Sequence, residues 1–370
     1  MSYAPHLVGW LLALSPSFNG PPLALRQSAF STSAVQNSAD ETALRTLAEG
    51  FSKTWAAKDL DGFLRLWSAT SPELEARRKA TQELFAGSER IELRGQTIRA
   101  VKMMGDKARV RVEADAQVIE TKTGKPRSGY GKMLRTLECV KEEGRWKVWR
   151  ETSAFDDLAA ALAVAESDRE RAALLAEEKD LVTAELVRSL SSQGSRFYVQ
   201  GGYPQALASY RLAQSIGEQI GDQSGIARAL GSIGNVHWSQ GNYAEALDYY
   251  QKSLAMSEAV GDKGGIARST NNLGNIHSRQ GNYGLALEYY QKSLAMSEAL
   301  GDKVWISSAL NNIGTVHNQQ GNYGHALGYY QKSLVMSEAL GDKDGIAFAL
   351  ANMGSIRNRQ GDYMQALEYF

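Results

Sequence analysis

The apolar residues of this chain follow three periods in turn. Leu44, Leu47, Phe51 and Trp55 recur at spacings of 3, 4 and 4, and Leu60, Phe63, Leu64 and Trp67 repeat the pattern over a shorter span. Such spacing places side chains on one stripe of an α-helix, so two helices are predicted here and a third from Pro72 to Phe85. After Gly87 the period falls to two. Ala108, Val110, Val112 and Ala114 alternate with Arg109, Arg111, Glu113 and Asp115, as in a half-buried strand. Turns at Gly105-Asp106, Gly124-Lys125-Pro126 and Glu143-Gly144 separate it from "TIRAVKMM", "KMLRTLECV" and "RWKVWRET". From Asp156 the composition shifts to Ala, Leu, Glu and Arg with no Gly or Pro before Gly194, predicting a long connecting helix or helix pair over 156–182.

The third regime is a repeat. "GNYAEALDYYQKSLAMSEAVGDK" from Gly241 returns almost verbatim at Gly281 and Gly321, more weakly at Gly201, and begins again at Gly361. Within each 40-residue unit two amphipathic stretches flank Gln-Gly-Asn-Tyr, as at Gln240 to Tyr243. There glycine is placed to end the first helix and asparagine to cap the second. Gly-Asp-Lys, as at Gly261 to Lys263, ends the second helix and supplies an aspartate cap for the next. Gly234, Gly274, Gly314 and Gly354 fall mid-helix, where glycine costs about 1 kcal/mol relative to alanine. Close approach of a neighbouring helix is the common reason expected. Units that cannot bury an apolar face alone must stack, so a solenoid is predicted.

Leu230, Ile233, Gly234 and His237, with Tyr243, Ala246, Leu247, Tyr250 and Leu254, resemble the two helices of the tetratricopeptide repeat (TPR). The resemblance runs in register from Gly194 to Phe370, with units of 40 rather than 34 residues and glutamate (Glu258, Glu298, Glu338) where the family often has proline. It is similar to the long units of kinesin light chains and of the adaptors linking heterotrimeric G proteins to spindle orientation. It implies a right-handed superhelix over 183–370, with four complete repeats and a truncated fifth. The resemblance also implies a concave groove lined by first helices. Carried onto this sequence, the groove positions include Arg228, Asn235, Arg268, Asn272, Asn275, Arg279, Asn312, Asn352 and Arg359. Asparagine can pair with both groups of a peptide bond and arginine can clamp a carboxylate, so an extended, acidic protein or peptide partner is expected.

The order of helices then strands over 39–155, with "W-x-x-K-D-L-D-G-F-L-x-L-W" from Trp55 to Trp67, resembles the NTF2-like or SnoaL-like cone-shaped α+β domains. Enzymes of that family carry an acid or base inside the cone. This stretch has no histidine, and Glu113, Asp115, Glu120, Glu138 and Glu151 mostly alternate away from the apolar face. A catalytically silent domain is therefore expected, with any small ligand of the cone unspecified. A buried carboxylate within reach of a second titratable group, deep in a pocket, would revive the enzyme reading.

Composition adds limits. Forty-one basic and 41 acidic residues balance to zero net charge, which gives no ground for nucleic-acid binding. Cys139 is the single cysteine, and three of the five histidines (His237, His277, His317) share one repeat position, so repeat packing explains them better than a metal. "GKPRSGYGK" from Gly124 lacks the phosphate-loop spacing and reads as a hairpin connection; no cofactor is called for. Leu7 to Phe18 has the length of a secretory h-region and is too short to span a bilayer, yet no Lys or Arg precedes it and no clean A-x-A site follows closely. Export and a cytoplasmic location both stay open, with a flexible connector over 15–37 and the first domain starting at 39. The repeats stop inside a helix at Phe370, as in a fragment. The whole arrangement resembles the front half of bacterial proteins that end in a caspase-like CHAT peptidase domain. An adaptor, the sensor half of such a peptidase, and a tethered NTF2-like isomerase or cyclase are the three functional readings.

Overall fold

A computed structural model describes residues 34–370 apart from residue 129. The expectations for residues 7–18 and for most of 15–37 lie outside the described residues. The chain divides into two compact units, one ending at Leu181 and one running Val182–Phe370. No helix among the described residues is long and apolar enough to cross a membrane.

The first unit begins with helices α1 (Ala34–Ala56), α2 (Leu60–Arg65) and α3 (Leu74–Gly87). An antiparallel meander follows, β1 (Ser88–Met104), β2 (Lys107–Glu120), β3 (Lys132–Glu142) and β4 (Arg145–Ser153), in spatial order β1-β2-β3-β4. The predicted stripe Leu44, Leu47, Phe51 and Trp55 packs with Phe63, Trp67, Val110, Val112, Leu137 and Val148 into one core. The free edge of β4 is held by the segment after α2, where the Ser68 amide donates to the Val148 carbonyl at 2.7 Å and the Val148 amide to that of Leu66 at 2.8 Å.

Of the long helix or helix pair expected over 156–182, the structure forms a pair, α4 (Ala154–Val164) and α5 (Asp168–Glu177), followed by a 3₁₀ turn, Lys179–Leu181. The break has a local cause: the Ser167 hydroxyl accepts from the Glu170 amide, while the Glu170 carboxylate accepts from the Glu166 amide. These two bonds start a new helix where propensity alone would continue the old one. The acidic face is partly used. Glu178 pairs with Arg111 and Glu177 with Lys102 at 2.9 Å, and both cations lie on the sheet face opposite α1. Asp157 accepts from the Thr152 hydroxyl at 2.7 Å, and burial pushes its carboxyl above the usual range.

The second unit is helical throughout. First helices α6 (Ala184–Val199), α8 (Gln223–Ser239), α10 (Lys263–Arg279), α12 (Lys303–Gln319) and α14 (Lys343–Arg359) alternate with second helices α7 (Tyr203–Ile220), α9 (Tyr243–Ala259), α11 (Tyr283–Leu300), α13 (Tyr323–Leu340) and α15 (Tyr363–Tyr369). Repeats join through small clusters such as Ala246, Tyr250, Leu273 and Ile276. Successive first helices touch one another, whereas no comparable packing links successive second helices. The first helices thus form the tighter, inner layer.

The expected aspartate caps form. Asp222, Asp262 and Asp342 accept from the Gly225, Gly265 and Gly345 amides, and Asp302 from that of Trp305. Asn242, Asn282 and Asn322 occupy the other cap position without a side-chain capping bond. There the preceding glycine carries the turn: Gly241, at φ +81°, permits the Asn242 amide to bond the His237 carbonyl at 2.9 Å. Asp262→Ala is accordingly expected to cost about 1 kcal/mol, and Asn242→Ala markedly less, measured by urea denaturation of the repeats.

Candidate functional site: the inner face of the repeats

The mid-helix glycine that recurs every 40 residues in the first helices is a seat for an aromatic ring. A Cβ at Gly194, Gly234, Gly274 or Gly314 would lie 2.6, 2.6, 2.5 or 2.9 Å from the ring of Tyr210, Tyr250, Tyr290 or Tyr330. The expected close approach is therefore that of the second helix in the same repeat, through one buried tyrosine. The residue after each glycine then meets the tyrosine hydroxyl. Tyr250 donates to Asn235 Oδ1 at 2.8 Å and Tyr290 to Asn275 Oδ1 at 2.7 Å, while Tyr330 donates to Thr315 at 3.1 Å. Burial raises the pKa of Tyr290 and Tyr330, keeping both hydroxyls protonated as donors.

This geometry gives several residues of the expected groove a second duty. Asn235 and Asn275 spend a carbonyl on a buried tyrosine, and Asn235 also accepts from Asn272 Nδ2 at 3.2 Å. Asn312 donates to Asn271 Oδ1 at 2.9 Å, linking α12 to α10, and Asn352 donates to the Phe348 carbonyl of its own helix at 3.0 Å. Asn271 and Asn311, both buried, were not picked out in the sequence because they sit among apolar positions. The arginines divide. Arg279 lies over the Tyr243 ring at 4.5 Å and the Trp238 ring at 5.9 Å, and Arg268 pairs with Asp262 at 3.8 Å. Arg228 and Arg359 are exposed and make no ion pair with the described residues.

The repeated histidines stack on tyrosines of the second helices. His237, His277 and His317 lie 5.3, 5.4 and 5.5 Å from Tyr249, Tyr289 and Tyr329, with rings within 14° of parallel. Burial holds the pKa of His277 and His317 below the usual imidazole range.

In the first unit one expected carboxylate is misplaced by the sequence reading. Glu151 is buried at 2% exposure, because β4 carries a bulge: Glu138 pairs with Arg150 but Cys139 pairs with Val148, leaving Trp149 extra. The added residue turns Glu151 to the inner face beside Leu137. Arg77 Nη1 donates to Glu151 Oε2 at 3.0 Å, Arg77 Nη2 donates to its carbonyl at 2.7 Å, and Arg135 Nε lies 3.8 Å from Oε1. Burial pulls the Arg135 guanidinium below its usual range, against the pull of Glu151. Both residues border a cavity of about 20 Å³ with Phe51, Ser52, Val112, Met133 and Leu137, room for a single water. The titratable group within hydrogen-bonding reach of the Glu151 carboxylate is Arg77, and a guanidinium stays protonated and cannot relay a proton.

The tetratricopeptide repeat family model matches residues 186–259, 225–299, 265–339 and 305–370, which together cover half of the chain. Among curated proteins none matches the chain in sequence. Similar solved structures include BtubC (BKLC) from P. vanneervenii, at 19% identity and TM-score 0.48, covering 59% of this chain and 89% of that one. The apo form of RapI aligns at 18% identity and TM-score 0.44, covering 58% of this chain and 60% of its own. A Rap protein complexed with competence and sporulation factor aligns at 18% identity and TM-score 0.45, covering 54% and 56%. With the matched segments following one another at the 40-residue interval of the Gly–Tyr seats, the chain belongs to the tetratricopeptide repeat family.

Proposed function

We propose that this protein is a non-catalytic adaptor that holds an extended peptide segment against the inner layer of first helices. Tetratricopeptide repeats are as a rule scaffolds for protein contacts. The observation that carries the reading is the chemistry of that layer: Arg228, Asn272, Asn312, Asn352 and Arg359 recur at repeat positions that sit beside, not inside, the apolar clusters. Polar side chains already anchored at one end, such as Asn272 through Asn235, present their remaining groups in a fixed orientation. Preorganisation of this kind lowers the ordering cost of binding.

The first unit is proposed to be NTF2-like, on the support of three helices packed across a four-stranded antiparallel meander, and to act as a second contact surface. Glu151 serves there as a structural counter-charge.

The test is selection of peptides from a random library on the full chain. Binders should lose about 1–3 kcal/mol of affinity with Arg228→Gln or Asn352→Ala and keep it with Glu298→Ala on a second helix. Binders indifferent to the first two changes would defeat the groove reading. Asn272→Ala and Asn312→Ala are poorer probes, since each also breaks a bond between repeats and is expected to cost about 0.5–1.5 kcal/mol of stability.

A further inference from the structure

Reading the first helices across the repeats at one position gives Arg188, Arg228, Arg268, Ser308 and Phe348. Arg188 belongs to this column although it lies in the most divergent repeat. Arg188 and Arg228 are exposed and Arg268 is half-buried, with Arg188 paired to Glu185 one turn away and Arg268 to Asp262 at 3.8 Å. Phe348, at the other end, keeps 38% of its surface exposed. The column is thus cationic over three consecutive repeats, neutral at the fourth and apolar at the fifth.

Resting on the groove reading above, we propose that the occupant is an acidic segment in polyproline II conformation, with carboxylates at every third residue and an apolar residue six beyond the last of them. Helices in contact lie about 8–10 Å apart, and successive first helices are in contact. A polyproline II chain rises about 9 Å per three-residue turn and returns the same face to the groove each turn. One turn per repeat puts carboxylates at positions 1, 4 and 7 opposite Arg188, Arg228 and Arg268, leaves position 10 at Ser308 and brings position 13 to Phe348. A β-strand fits worse, because its third residue points to the opposite side. An acidic peptide is favoured over a nucleic acid by a column of only three arginines on a chain of zero net charge.

The probe is a fluorescent 13-residue Pro/Ser peptide with Glu at 1, 4 and 7 and Leu at 13, in both sequence orders, titrated by anisotropy against the full chain. Its control carries the same residues with Glu at 1, 2 and 3. One order of the spaced peptide is expected to bind about tenfold tighter than the control, and Arg228→Gln should abolish that preference without shifting the melting temperature. Equal affinity of spaced and clustered peptides, or a preference that survives Arg228→Gln, overturns the register while leaving the groove reading intact. Absence of binding by either peptide overturns it too, and the library selection then judges the groove separately. Equally tight binding of a 13-nucleotide oligo(dT) would replace the peptide by a nucleic-acid partner.

Discussion

Replacing Glu151 by leucine is expected to destabilise the first unit by about 3–5 kcal/mol, the cost of stranding a buried charge. Glu151 is 2% exposed and compensates Arg77, which is itself mostly buried over the Trp67 ring, and Arg135 across the cavity. A surface ion pair such as Lys53–Glu49 would be worth well under 1 kcal/mol; here both arginine side chains keep less than a fifth of their surface exposed. The two units need not unfold together, so the loss is best read from amide exchange in β3 and β4 instead of a single melting curve. Adding Arg77→Met and Arg135→Met to Glu151→Leu should recover much of the stability, because buried ion clusters are often no better than apolar groups of the same volume. A triple variant no more stable than Glu151→Leu would show that the arginines act through packing or other bonds.

The same residue marks where reading from sequence stopped. Strict alternation along "RWKVWRET" puts Glu151 outside, and one extra residue at Trp149 reverses it. A bulge leaves no mark in hydropathy when the inserted residue is itself large and half-buried. β1 repeats the lesson: its 17 residues carry register shifts past Glu89, Arg94 and Arg99, so the period-two pattern decays and only its end, "TIRAVKMM", is legible. Over 156–182 composition leaves one helix and a helix pair undecided, and the structure forms the pair. Composition favoured helix throughout, while two hydrogen bonds at Ser167 and Glu170 decided the break.

The repeats were legible because every device there recurs. Aspartate caps, left-handed glycines and the Gly–Tyr spacing each return at 40 residues, and chance agreement across four copies is remote. What the recurrence did not reveal was the direction in which a polar side chain faces. Asn235 and Asn272 hold consensus positions for a ligand, yet they bond to each other because the repeats approach closely enough for an amide to span them. Arg188 was missed for lying in a repeat whose second helix had drifted, although its first helix kept register.

Gly274→Ala is expected to destabilise the repeats by about 1–3 kcal/mol, against the usual direction for a helical glycine. Alanine would gain about 1 kcal/mol of helix propensity. Its Cβ, however, would lie 2.5, 2.7 and 3.0 Å from three atoms of the Tyr290 ring, a contact that requires movement. Tyr290 is 2% exposed and its hydroxyl is tied to Asn275, so the ring cannot retreat without breaking that bond and opening the cluster with Ala286, Ile313 and Val316. Overpacking costs about 1–3 kcal/mol and the lost hydrogen bond about 1 kcal/mol more, which together exceed the propensity gain. Two other glycines separate this cause from glycine chemistry in general. Gly328, in α13 with nothing within 4 Å of its would-be Cβ, should give a variant more stable by up to about 1 kcal/mol. Gly354 faces the Phe370 ring at 3.0 Å, but that ring is 75% exposed and free to swing, so Gly354→Ala should be close to neutral. Urea denaturation of the three variants tests the order; a Gly274→Ala protein as stable as Gly328→Ala would mean that the tyrosine seat is soft and that the glycines are retained for another reason.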